Sequence, residues 1–152
     1  MEKLNGKKIN IAVFISGRGS NLKSLIKYYK KKKSLISIKL VISNNSKAKG
    51  LIYAKQAKIK SHIANFKKNN FVEKKLLKKL LNNKINLICL AGFMKILSKQ
   101  IINKYKNKIL NIHPSLLPKY KGLNVVERAM EAGEEETGCT VHYVNEELDG
   151  GE

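Results

Sequence analysis

Residues 8–22 read KINIAVFISGRGSNL, and this stretch decides the fold. KINIAVFIS, at 8–16, is an apolar run rich in β-branched residues, bounded by Gly6 and Gly17. Its length and composition predict a buried strand. A helix over 20–32 follows, with Leu22, Leu25, Ile26 and Tyr29 at helical spacing. Ser20 and Asn21 at its start are both good N-cap types. Between strand and helix lies Ser16-Gly17-Arg18-Gly19-Ser20-Asn21. Two glycines let the backbone approach a ligand, and free N–H groups at a helix start face an anion. A plain turn and cap is the competing reading. A dinucleotide fingerprint needs a third glycine where Leu22 stands and an acid after the next strand. Ser43-Asn44 supplies no acid and no Gly-Lys-Ser/Thr occurs here, which disfavours a nicotinamide cofactor and a phosphate-loop NTPase.

Outward from this unit, strand and helix signals alternate. ISIKLVIS at 36–43 reads as a second strand, and Asn44-Asn45-Ser46 as a turn and cap before a helix ending near Ala57. A short strand follows at 60–64. Residues 69–83 place Phe71, Val72, Leu76, Leu77, Leu80 and Leu81 on one face of an amphipathic helix. INLICLA at 85–91 is the most apolar stretch and reads as a central strand. A short helix at 97–105, a strand at 108–112, a helix at 124–133 and a strand at 139–145 complete the order. Such alternation predicts one α/β domain over 1–152, a mostly parallel sheet with helices on both faces. Ligands then bind outside the carboxyl ends of the strands.

With 43% hydrophobic residues among 152, the chain excludes global disorder, and no run is long enough to span a membrane. The N-terminus shows no signal-peptide pattern. Cys89 and Cys139 form neither a metal pattern nor a disulfide framework, so a reducing cytoplasm is expected. Net charge is +20, unevenly spread: 28 of the 31 basic residues and only two acids precede residue 109. This predicts non-specific attraction to polyanions. All but two of the basic residues are Lys, Arg18 and Arg128 being the exceptions. Base readout favours Arg forks, so no specific nucleic-acid partner is expected.

Three more segments carry polar chemistry at strand ends. In Ala91-Gly92-Phe93-Met94-Lys95-Ile96-Leu97, Gly92 allows a tight exit while Phe93 and Met94 wall a cleft or simply pack. In Asn111-Ile112-His113-Pro114-Ser115, Asn111 and His113 share a strand face because side chains alternate, and Pro114 ends regular pairing. An amide donates to a developing oxyanion and an imidazole shuttles protons. In Glu146-Glu147-Leu148-Asp149-Gly150-Gly151, Asp149 on a turned loop is a carboxylate that would orient His113. His62 reads as incidental and His142 as structural. The three histidines lack metal spacing, so no metal is expected.

Together these segments resemble the phosphoribosylglycinamide formyltransferase family, the folate-dependent formyl transferases of purine synthesis. The resemblance rests on SGRGSNL at 16–22, LAGFMKIL at 90–97, LNIHPSLLPKYKG at 110–122 and GCTVHYVNEELDGG at 138–151, in family order. It implies a Rossmann-like formyltransferase fold. It implies transfer of a formyl group from 10-formyltetrahydrofolate, a co-substrate, to the amine of glycinamide ribonucleotide in IMP synthesis. It assigns Asn111, His113 and Asp149 to catalysis, and Gly17, Arg18, Gly19, Ser20 and Asn21 to the phosphate. It assigns Gly92, Met94, Lys95, Ile96, Leu97, Pro114, Val144, Asn145, Glu146, Glu147 and Leu148 to the substrate and folate pocket. Transfer is expected to be direct, with no nucleophilic side chain, in a monomer or weak homodimer.

Methionyl-tRNA formyltransferase and formyltetrahydrofolate deformylase share the Asn-His-Asp logic. His113-Pro114-Ser115 and the glycine loop favour the glycinamide ribonucleotide enzymes. Lys95 stands where the family usually has Arg, and Asn124-Val125-Val126 replaces a stretch often containing His. The family usually continues past Asp-Gly-Gly, so a domain short of its C-terminal strand and helices is expected. A basic nucleic-acid-binding module and an inactive fragment are the rival readings.

Overall fold

Alternation along one strand sets the positions of the layers. In the computed structural model, which describes residues 8–66 and 70–151, β1 spans Ile9–Ile15. Ile11, Val13 and Ile15 face one side, against Leu22 and Ile26 of α1 (Ser20–Tyr29) and Ala54 of α2 (Leu51–Gln56). Ala12 and Phe14 face the other, against Leu76 and Leu80 of α3 (Asn70–Asn82) and Ile101 and Ile102 of α4 (Lys99–Lys104). Two apolar layers thus sandwich the sheet. Each fully buried Leu, Ile or Phe stabilises the fold by about 1.5–3 kcal/mol. Phe14 anchors an aromatic group with Phe66 and Phe93, whose rings meet tilted or edge-on at centroid distances of 4.9–6.2 Å.

The remaining strands are β2 (Ile36–Ser43), β3 (Lys60–Ile63), β4 (Leu87–Leu90), β5 (Ile109–His113) and β6 (Thr140–Tyr143). They form one sheet in the order β3-β2-β1-β4-β5-β6. All neighbours are parallel except β5 and β6. From β1 the chain builds outward through β2 and β3, then returns to β4 and builds the other way. The crevice between β1 and β4 is therefore the switch point at which such sheets bind ligands. Opposite Ile11 and Ala12, the register jumps from Ile38 to Leu40, leaving Lys39 as an exposed bulge.

The expected elements are present, with corrected ends. Helix α1 stops at Tyr29, and Lys30–Lys33 lie beyond it, exposed. Its N-cap is Gly19 in the left-handed region, not Ser20 or Asn21, and no side chain caps it. Helix α2 starts at Leu51 behind Gly50, because residues 45–48 form a turn closed by Asn45. A fifth helix, α5, spans Val125–Glu131. The expected inward position of Phe71 lies outside the described side chains, as do the reading of residues 1–7 and anything at Glu152.

Candidate active site

At the end of β1, Ser16 joins three segments. Its hydroxyl donates to Asn44 Oδ1 at 2.6 Å and accepts from the Met94 N–H at 2.7 Å. Its own N–H donates to the Gly92 carbonyl at 3.1 Å. The glycine loop is thereby tied to the loop leaving β4. Gly19 is needed for two reasons. Its φ is +77°, and a Cβ there would lie 2.5 Å from Gly50 Cα. With no side chain over the start of α1, its first N–H groups remain open donors, the arrangement that suits an anion. Gly17, Arg18 and Ser20 are exposed, and Asn21 is half-buried.

At the end of β5, alternation puts Asn111 and His113 on one face. His113, 4% exposed, donates from Nε2 to the Tyr120 carbonyl at 2.8 Å. Its Nδ1 lies 3.4 Å from Asp149 Oδ2. That same oxygen accepts the Gly122 N–H at 2.9 Å. Asn111 Nδ2 is 3.5 Å from Asp149 Oδ1. Asp149 takes a left-handed φ of 47°, and its side chain is only 9% exposed. A buried carboxylate is costly unless its oxygens find donors, and here both do. The turn after β6 thus brings Asp149 to the strand that carries Asn111 and His113.

One member of the cluster was not singled out by sequence. His142, read as structural, lies with Nε2 3.2 Å from Asn111 Nδ2 and 3.6 Å from Asp149 Oδ1. The antiparallel register pairs Asn111 with His142 and His113 with Thr140. Only the direction and register of β6 reveal this, and neither is local in sequence. Thr140 also helps hold the loop after β5, its Oγ1 donating to the Ser115 carbonyl at 2.7 Å and accepting from Leu117 N–H at 3.0 Å.

That loop has an outer clamp. Lys119 Nζ and Tyr120 Oη both donate to Glu134, at 2.9 Å and 2.8 Å. These bonds hold the Glu134 carboxyl below its ordinary range, Lys119 contributing more than Tyr120, and raise both donors. Arg128 donates to the Lys121 carbonyl at 2.7 Å and lies over the Tyr120 ring. A cleft of about 330 Å³ opens beside Lys121, Thr140, His142 and Asp149. A larger groove of about 500 Å³, between α1 and α2, includes none of these groups. Among the described residues no group of His, Cys, Asp or Glu is arranged to hold a metal, and no helix is long and apolar enough to cross a membrane.

Comparison with known proteins shows the family. Residues 9–152 match the formyl transferase family. The phosphoribosylglycinamide formyltransferase of Haemophilus influenzae is 48% identical over 144 residues, covering 93% of this chain and 68% of that protein. The chain belongs to the phosphoribosylglycinamide formyltransferase family. The crystal structure of phosphoribosylglycinamide formyltransferase from Anaplasma phagocytophilum superimposes with a TM-score of 0.90 at 43% identity, over 95% of this chain and 68% of that one. The human trifunctional purine biosynthetic protein adenosine-3 is 45% identical over 149 residues, 96% of this chain but 15% of that protein.

Within this formyltransferase fold, the residues assigned by resemblance to the folate side divide into two kinds. Met94 and Ile96 are 63% and 82% exposed, while Leu97 is buried in the core. Gly92, Lys95 and Pro114 are exposed. Asn145, Glu146, Glu147 and Leu148 are exposed on the turn after β6, with Val144 half-buried. Glu146 ties that turn to α4 through a 2.8 Å ion pair with Lys99. This bond holds the Glu146 carboxyl low and the Lys99 ammonium high.

Proposed function

We propose that the chain transfers a formyl group from 10-formyltetrahydrofolate to the amine of glycinamide ribonucleotide, directly, in a soluble cytoplasmic step of purine synthesis. The observation that carries this reading is the Asn111–His113–Asp149 cluster at the carboxyl end of β5, a half-buried amide beside a buried imidazole and carboxylate, in a chain of this family. The open N–H groups at the start of α1 would take the nucleotide phosphate. Gly92, Met94, Lys95 and Ile96, with Pro114 and the turn at 144–148, would line the folate side. Leu97 supports that wall from the core.

Attack of the amine on the formyl carbon forms a C–N bond and puts negative charge on the formyl oxygen. Asn111 would donate to that oxyanion. The amine's proton passes toward His113 and Asp149. His113 Nε2 is committed to the Tyr120 carbonyl, which leaves Nδ1, on the looser Asp149 contact, as the nitrogen that exchanges protons. Collapse breaks the bond from carbon to the folate nitrogen, which takes up a proton. Holding both substrates in one crevice replaces a covalent intermediate. Cys89 makes a poor nucleophile, since burial pushes its thiol up to about 11. The buried Ser115 hydroxyl is committed to the Lys119 carbonyl at 2.6 Å.

The test is formyl transfer by the 152-residue chain, with His113→Ala as control. Turnover that falls by about 10²-fold or more in the variant is expected. Retained activity in a folded His113→Ala overturns the assignment.

A further inference from the structure

We infer that His142 is a positioning residue that holds the Asn111 amide in the one orientation presenting a donor to the reacting oxygen. This rests on the proposed role of Asn111 above. His142 is 4% exposed and sits directly across the strand pair from Asn111. Its Nδ1 lies 3.0 Å from the Tyr143 carbonyl oxygen. A carbonyl only accepts, so Nδ1 carries the hydrogen, and in the singly protonated ring Nε2 is the acceptor. Asp149 Oδ1, 3.6 Å from Nε2, lies beyond hydrogen-bond reach of it. The Nε2 lone pair meets Asn111 Nδ2 at 3.2 Å.

The amide therefore has a defined sense. One N–H points to His142. The other points toward Asp149 Oδ1, 3.5 Å away, a long contact that an incoming oxyanion can replace. Turned over, Asn111 would set its carbonyl oxygen against the Nε2 lone pair, two acceptors facing each other in a buried site. It would also present an oxygen, not a hydrogen, to the developing negative charge. Without His142, only the long Asp149 contact distinguishes the two senses. The ring acts on the reaction through Asn111, as a supporting group that orients a catalytic one.

Two measurements test this on the full chain. The first is the His142 tautomer, read by two-bond proton–nitrogen NMR well above the ordinary histidine range. A hydrogen on Nδ1 with Nε2 bare is expected. A hydrogen on Nε2 overturns the inference, whatever the chain's activity. The second is a double-mutant cycle. His142→Phe keeps the ring's bulk and removes the acceptor, and His142→Gln restores an acceptor. A fall in kcat of about 10-fold in His142→Phe is expected, with KM within about twofold and recovery in His142→Gln. In an Asn111→Ala background the same substitution should cost nothing further. An equal loss there marks a merely structural histidine and overturns the inference. Full turnover in Asn111→Ala alone instead removes the oxyanion reading, which separates the two failures. The tautomer needs no variant, so it decides even where His142→Phe does not fold.

Discussion

Cys89 sits in β4 between Ile88 and Leu90, and burial pushes its thiol up from 9.0 to about 11. The unfolded chain then ionises this thiol first. The stability from keeping it neutral is whole below pH 9.0 and is lost as pH rises toward about 11. That displacement is worth at most about 2–3 kcal/mol. Urea unfolding should show a larger loss of stability between about pH 8 and about pH 10.5 in the parent chain than in Cys89→Val. Lysine and tyrosine titration is common to both proteins, so equal losses would rule out the thiol as a cause. Single residues differ in how far sequence reveals them. Asn111 and His113 stood out because two polar groups share one face of a short strand. His142 did not, since an alternating strand accounts for it until the strand's partner and register are known.

The loop after β5 is an element held from outside. It supplies the Tyr120 carbonyl to His113 and the Gly122 N–H to Asp149. Its outer side is fastened by Glu134, which lies beyond α5. Glu134→Ala cuts both tethers without touching the buried cluster. We expect kcat/KM to fall about three- to tenfold, with a folded chain and a smaller loss in Tyr120→Phe, which keeps the Lys119 pair. Unchanged steady-state kinetics in Glu134→Ala would show that the loop holds its shape unaided. Strands and helices were legible because apolar periodicity is local. Their ends were less so. Gly19 rather than Ser20 caps α1 because its left-handed φ and the close approach of Gly50 outweigh side-chain capping preference. The antiparallel turn of β6 and the Glu134 tether depend on distant pairing, which no local pattern encodes.

Charge acts at the scale of the whole molecule. The chain carries +20, and runs such as Lys30–Lys33 project into solvent. Such a field attracts any polyanion, and the attraction is screened over about 8 Å at physiological salt. It also draws in small anions, among them the phosphate- and carboxylate-bearing substrates proposed above. Two salt titrations separate steering from nucleic-acid recognition. If the field only steers, kcat/KM should fall with added salt while kcat stays level, because encounter is screened and the buried His113–Asp149 pair is not. Binding to duplex DNA should be indifferent to sequence and should weaken by about 10³-fold or more between 50 and 200 mM salt, as phosphate-only contacts do. The near absence of arginine argues the same way, since lysine meets phosphate as a point charge but lacks the fork that reads a guanine edge. DNA binding that keeps a sequence preference at the higher salt would contradict this. It would mean that the lysine-rich surface is a recognition surface in its own right, alongside the crevice between β1 and β4.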